Sequence, residues 1–111
     1  MGVAIHGTAD GAVDQVRDAL VAYAAQHPTA DVTVRRNSPY SIHIRVIDPA
    51  LSGIEYFDRM DPLSPYLETL PPEVYGDITL LLMLTPEEAA DGSSPEGWAN
   101  RDFERGAPVG A

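Results

Sequence analysis

The amino-acid sequence predicts an α+β domain, a three-stranded mixed sheet with helices packed on one face, in the order α-β-β-α(α)-β-α. Three observations carry that prediction. Apolar residues recur at helical spacing from Val13 to Ala24, the period drops to two between Asp31 and Ile47, and an almost wholly apolar run spans Ile78 to Leu84.

Residues 1–9 show no sustained periodicity and read as a flexible N-terminus. Asp10 is placed to cap a helix whose apolar residues Val13, Val16, Leu20, Tyr23 and Ala24 form one stripe, with Asp14, Arg17 and Asp18 turned outward. That helix ends near Gln26, because Pro28 pushes His27 out of helical geometry. Val32 and Val34 then alternate with Thr33 and Arg35, and Ile42, Ile44 and Val46 alternate with Ser41, His43 and Arg45. Asn37, Ser38 and Pro39 supply the turn between them, so the two runs predict an antiparallel hairpin.

Asp48 and Pro49 end the second strand. From Leu51 to Leu70, apolar residues return at helical intervals, but Pro62 and Pro65 divide the stretch. It therefore predicts one short helix near Ile54 to Met60 and another near Pro65 to Leu70, stopped by Pro71 and Pro72. The run Ile78 to Leu84 predicts a third strand, covered on both faces or lying inside the sheet and parallel to the second, since a helical crossover separates them. Thr85-Pro-Glu-Glu88 matches a capping box with proline at the first helical position, so a short helix follows and stops near Asp91 and Gly92. The expected organisation is a single domain over 10–92 and a C-terminal tail over 93–111, with a docking segment around Trp98 and Phe103.

Composition narrows the function. The 111 residues, 44% of them hydrophobic, suffice for one core. The longest apolar run is far shorter than the roughly 20 residues of a membrane span, and no positively charged leader precedes an apolar segment, so a cytoplasmic location is expected. Cysteine is absent, which excludes disulfides, thiolate ligation and cysteine nucleophiles. The net charge of −10 disfavours nucleic acid as a partner, because phosphate binding relies on clustered cations. All seven basic residues are arginine, which fits either a coding bias or bidentate pairing with carboxylates.

The stretch Ile44-Arg-Val-Ile-Asp48, followed by Leu51-Ser-Gly53, Arg59 and Thr85-Pro-Glu-Glu88, resembles the BolA-like family over roughly residues 11 to 90. The resemblance implies a small domain related to one type of KH fold. In that family an apolar-x-Gly motif is followed by an Arg-His-Arg cluster. Here Arg59 matches the first arginine, whereas Met60 stands where the histidine would be and Asp61 where the second arginine would be. The resemblance would also imply partnership with a monothiol glutaredoxin around a shared [2Fe–2S] centre. The missing histidine puts that role in doubt, because a thioether binds ferric iron weakly.

Candidate chemistry is sparse. His6, His27 and His43 have no metal-ligand spacing. Glu55, Asp58 and Asp61 are surface charges, and neither a nucleophile elbow nor a glycine-rich phosphate loop occurs. No catalytic, cofactor-binding or metal residue is therefore assigned, and no cofactor is expected. Arg35, His43 and Arg45, with Arg36 beside them, are expected to share the sheet face opposite Ile42, Ile44 and Val46. They form a candidate anion or partner surface, or a solvated face of arginine–carboxylate pairs. The leading expectation is a non-enzymatic interaction or adaptor module with an unidentified protein partner and an unassigned oligomeric state. A BolA-type regulator that binds nucleic acid or a glutaredoxin is one alternative, and a small enzyme with an unrecognised site is the other.

Overall fold

In the computed structural model, which describes residues 2–105, the first helix begins where the capping argument places it. Helix α1 spans Gly11–Ala25, and the Asp10 carboxylate accepts the Val13 N–H at 2.9 Å. Val13, Val16, Leu20 and Tyr23 are buried on one stripe. Each such side chain removed from water contributes about 1.5–3 kcal/mol before entropy is counted. Beyond the helix, His27 stacks on Tyr23 with ring centroids 4.1 Å apart.

The hairpin forms as the alternation requires. Strand β2 (Asp31–Ser38) runs antiparallel to β3 (Ser41–Ile47), pairing Val32 with Val46 and Val34 with Ile44, and a register shift falls between Arg36 and Ser38. Strand β4 (Ile78–Leu84) lies parallel to β3 and pairs Ile44 with Leu81 and Val46 with Met83. Between them come two 3₁₀ turns, Pro49–Leu51 and Tyr56–Met60, and two single-turn helices, α2 (Ser64–Leu67) and α3 (Pro72–Tyr75). The Pro71-Pro72 pair therefore starts an element as well as ending one, since Pro72 occupies a first-turn position that needs no backbone donor. After β4, Thr85 caps α4 (Pro86–Ala90) through the full capping box with Glu88.

Three further features differ from the sequence reading. The sheet has four strands, in the order β1-β2-β3-β4, because Gly2–His6 forms a strand, β1, parallel to β2. The segment read as a flexible N-terminus packs Val3 and Ile5 against the core. Two inward side chains make too short a window for period two to stand out, and the partner strand lies beyond α1. The tail read over 93–111 contains helix α5 (Pro95–Arg105), and residues 106–111 lie outside the described ones. Finally, helices cover both faces of the sheet.

On the first face, α1, α2 and α3 enclose Val32, Val34, Ile42, Ile44, Val46 and Met83. On the second, α5 places Phe103 with Leu82 and Leu84 in a smaller cluster. Glycine at 97 allows this docking, since a Cβ there would lie 1.7 Å from the Asp91 carbonyl oxygen. Among the described residues no helix is long and apolar enough to cross a membrane.

Candidate functional site

Strand parity sorts the four candidate residues onto two faces. Thr33, Arg35, His43 and Arg45 alternate with the core residues and lie on the second face, under α5. Arg36 shares parity with Val32 and Val34, so it turns to the α1 side and does not join the others. There its Nε and Nη2 each donate to the Asp10 carboxylate at 2.9 Å, and its Nη1 lies 3.5 Å from Asp77. The sequence signal was present, since adjacent strand residues point to opposite faces.

The remaining three do not form an open surface. Arg45 is 5% exposed. It donates to Glu104 and Asn100 of α5 and, at 3.3 Å, to Thr33 Oγ1, while its Nε has no hydrogen-bond partner. Arg35 donates to the Phe103 carbonyl. Both guanidinium carbons sit 4.7 Å from the Phe103 ring centroid, so the phenyl is held by two cations. Burial pushes the Arg35 pKa down and neighbouring Arg45 lowers it further, with Glu104 opposing. Burial also lowers the His43 pKa, with Arg35 adding to the effect. A groove of about 260 Å³ remains between α5 and the strands, lined by Arg35, Asn37, His43, Leu80, Ala99, Asp102 and Phe103.

The second site lies around the residues that carry the family resemblance. Gly53 adopts φ +80°, which turns the chain out of the first 3₁₀ segment. Arg59, 6% exposed, then anchors the following segment. Its Nε donates to the Ile54 carbonyl at 2.9 Å and its Nη1 to the Met83 carbonyl at 2.9 Å, and both of its Nη atoms bond Glu88 at 2.6 and 3.1 Å. Glu88 also accepts the Thr85 N–H at 2.9 Å, so one carboxylate links the arginine to the capping box. Bonding to Arg59 holds the Glu88 pKa below its ordinary value and raises that of Arg59. Tyr56 donates to the Leu81 carbonyl at 3.2 Å. Tyr56 and Arg59 thus occupy carbonyls on the outward side of β4 and blunt that edge.

Met60 packs against the main core and Asp61 is exposed. Ile54 and Phe57, which fall at the helical intervals of the Leu51 to Leu70 stretch, point into solvent, 41% and 81% exposed. A bent 3₁₀ segment between Gly53 and Pro62 cannot sustain a helical stripe, and those two residues were the available signal. Between Tyr56, β4 and α5 a groove of about 220 Å³ is lined by Tyr56, Leu82, Leu84, Pro95, Glu96 and Ala99. Among the described residues, no group of three or more His, Cys, Asp or Glu is arranged to hold a metal ion.

No family model, curated protein or solved structure matches this chain.

Proposed function

We propose that this chain is a non-enzymatic protein-interaction module of BolA-like fold, which docks a partner protein on the Gly53–Phe57 loop. The observation that carries the proposal is the outward display of Ile54 and Phe57 on a segment whose backbone is pinned by buried Arg59. An exposed aromatic on a rigid scaffold loses little entropy on binding and can fill a partner's pocket, which is how interface anchors contribute most of their affinity. The sheet face is under α5, and β4's outward carbonyls at Leu81 and Met83 are already bonded. The loop is thus the more accessible surface.

The motif residues support the fold part of this reading. Arg59, Thr85 and Glu88 meet in one hydrogen-bonded unit that also holds the Ile54 carbonyl beside Gly53, so residues far apart in sequence serve one local structure. Met60 faces the core, where it is unavailable as a substitute ligand. Arg17, Arg36, Arg45, Arg59 and Arg105 each pair with a carboxylate of the same chain, which argues for a protein partner over nucleic acid.

The test is affinity capture from the source cell extract with the intact chain and with an Ile54→Ser/Phe57→Ser variant of matched circular dichroism. A partner retained by the first and lost by the second is expected, and identical capture by both would overturn the reading. Mixing with a monothiol glutaredoxin and an iron–sulfur source should leave this chain free of bound cluster. A chain-dependent [2Fe–2S] spectrum would show that Met60 has not removed that role.

A further inference from the structure

We infer that the groove between α5 and the outer faces of β2, β3 and β4 binds a small organic anion, with the anionic group on Arg35 and His43 and an apolar body over Leu80, Ala99 and Phe103. This site is separate from the Ile54–Phe57 surface and goes beyond the docking role.

In a chain of net charge −10, the second sheet face gathers Arg35, Arg45 and His43 within one layer. Helix α5 neutralises this layer incompletely. Its Glu104 bonds Arg45, but among the described residues no carboxylate bonds Arg35, whose Nη1 meets a neutral carbonyl instead. Arg45 Nε, a buried donor without a partner, also indicates a cationic layer left short of acceptors. Such an unsatisfied donor is costly in a folded core, although Arg45 itself lies behind the groove and does not line it.

Shape supplies the second half. The groove of about 260 Å³ is just below the usual range of small-molecule sites, so it suits a fragment-sized ligand. Leu80, Ala99 and Phe103 give it apolar lining, while Arg35, Asn37 and His43 supply donors. A planar carboxylate suits the arginine fork, and an aromatic or branched body suits the walls. Asp102 also lines the groove, but it is largely exposed and lies 4.0 Å from Arg105, so it opposes a bound anion only weakly.

The probe is sodium phenylacetate, with neutral phenylacetamide as its isostere, titrated into the intact chain and followed by ¹H–¹⁵N and imidazole C–H resonances. Saturable shifts at His43, Leu80 and Ala99 are expected, with phenylacetamide about tenfold weaker because it lacks the charge-assisted bond. Bound phenylacetate should also raise the His43 titration midpoint, since an anion offsets the repulsion from Arg35. Arg35→Gln should weaken phenylacetate about tenfold and so remove its advantage over phenylacetamide. Asp102→Asn, at an exposed position that does not threaten folding, should strengthen it. Equal affinity for acid and amide, shifts mapping elsewhere, or an affinity indifferent to both substitutions would each overturn the assignment.

Discussion

Two buried arginines, Arg59 at the outer edge of β4 and Arg45 on β3 under α5, are almost equally hidden, yet they are held in different ways. Arg59 meets two backbone carbonyls and both oxygens of a carboxylate that is itself tied to the Thr85 cap. Arg45 meets a threonine, an amide and the half-exposed Glu104, and keeps an orphan Nε. Burial alone therefore says little about what an arginine contributes. Completeness of its hydrogen bonds decides, because a guanidinium out of water regains its solvation only through partners. The Arg59 region is a finished structural joint, whereas the Arg45 region is an incompletely satisfied seat for a docked helix.

Replacing each arginine with methionine, which keeps much of the volume, should separate the two sites most widely. Arg59→Met strands the Met83 and Ile54 carbonyls and leaves Glu88 without its cation. A loss of about 3–5 kcal/mol is expected by urea unfolding, the range for breaking a buried pair from one side. Arg45→Met deletes an unsatisfied donor and frees Glu104 to water, so a change within about 1 kcal/mol of zero is expected. Equal losses in the two variants would erase the distinction.

Between these extremes lies Gly97→Ala. The added Cβ overlaps the Asp91 carbonyl, so the start of α5 must move away. About 1–3 kcal/mol of overpacking strain is expected. Its signature should be local, with faster amide exchange along α5 and near Phe103 while α1 and β2 stay protected. Uniform loss of protection over the whole sheet would mean that α5 belongs to the main cooperative unit and is not a separately docked helix.

How much of this was legible in the sequence follows the range of the interactions. Asp10, Thr85 and Glu88 act within four residues, and the caps they predict form as written. The hairpin alternation and the apolar run of β4 likewise lie within single elements, and their pairing follows from connection length. What was hidden depended on distant partners. Strand β1 is defined by β2 across the intervening α1, and α5 by a sheet face built from three earlier strands. The candidate site divides in the same way. Parity separates Arg35, His43 and Arg45 from Arg36 within the sequence itself, but nothing near Arg45 announces that Glu104 and Asn100, more than fifty residues on, will cover it. Ile54 and Phe57 misled because their spacing fits a helix while Gly53 and Pro62 leave room only for a tight 3₁₀ turn.

The smallest effect separates the two arginine-bearing faces by pH. His43 lies on the Arg45 face, with Arg35 and Arg45 from the strands and Asp102 and Glu104 from α5 as its charged surroundings. Its folded pKa is depressed below 6.5 by burial first and Arg35 second, so the folded state holds this proton more weakly than the unfolded chain. Unfolding then takes up a proton as pH falls below about 6.5, and stability declines on that side and is complete above it. On the opposite face, bonding to Arg36 brings the Asp10 carboxyl from 3.8 to about 2. Stability from that pair is present above about 4 and lost as pH drops toward 2, again because the unfolded chain binds the proton more readily. Urea midpoints measured from pH 8 to pH 2 should therefore fall in two separable stages. His43→Asn should reduce the decline between pH 7 and pH 5 and leave the acid stage unchanged, whereas Asp10→Asn should do the reverse. If His43→Asn left the neutral stage at its full size, the desolvated histidine beneath α5 would not be its source, and the electrostatic difference between the two faces would have to be sought in other groups.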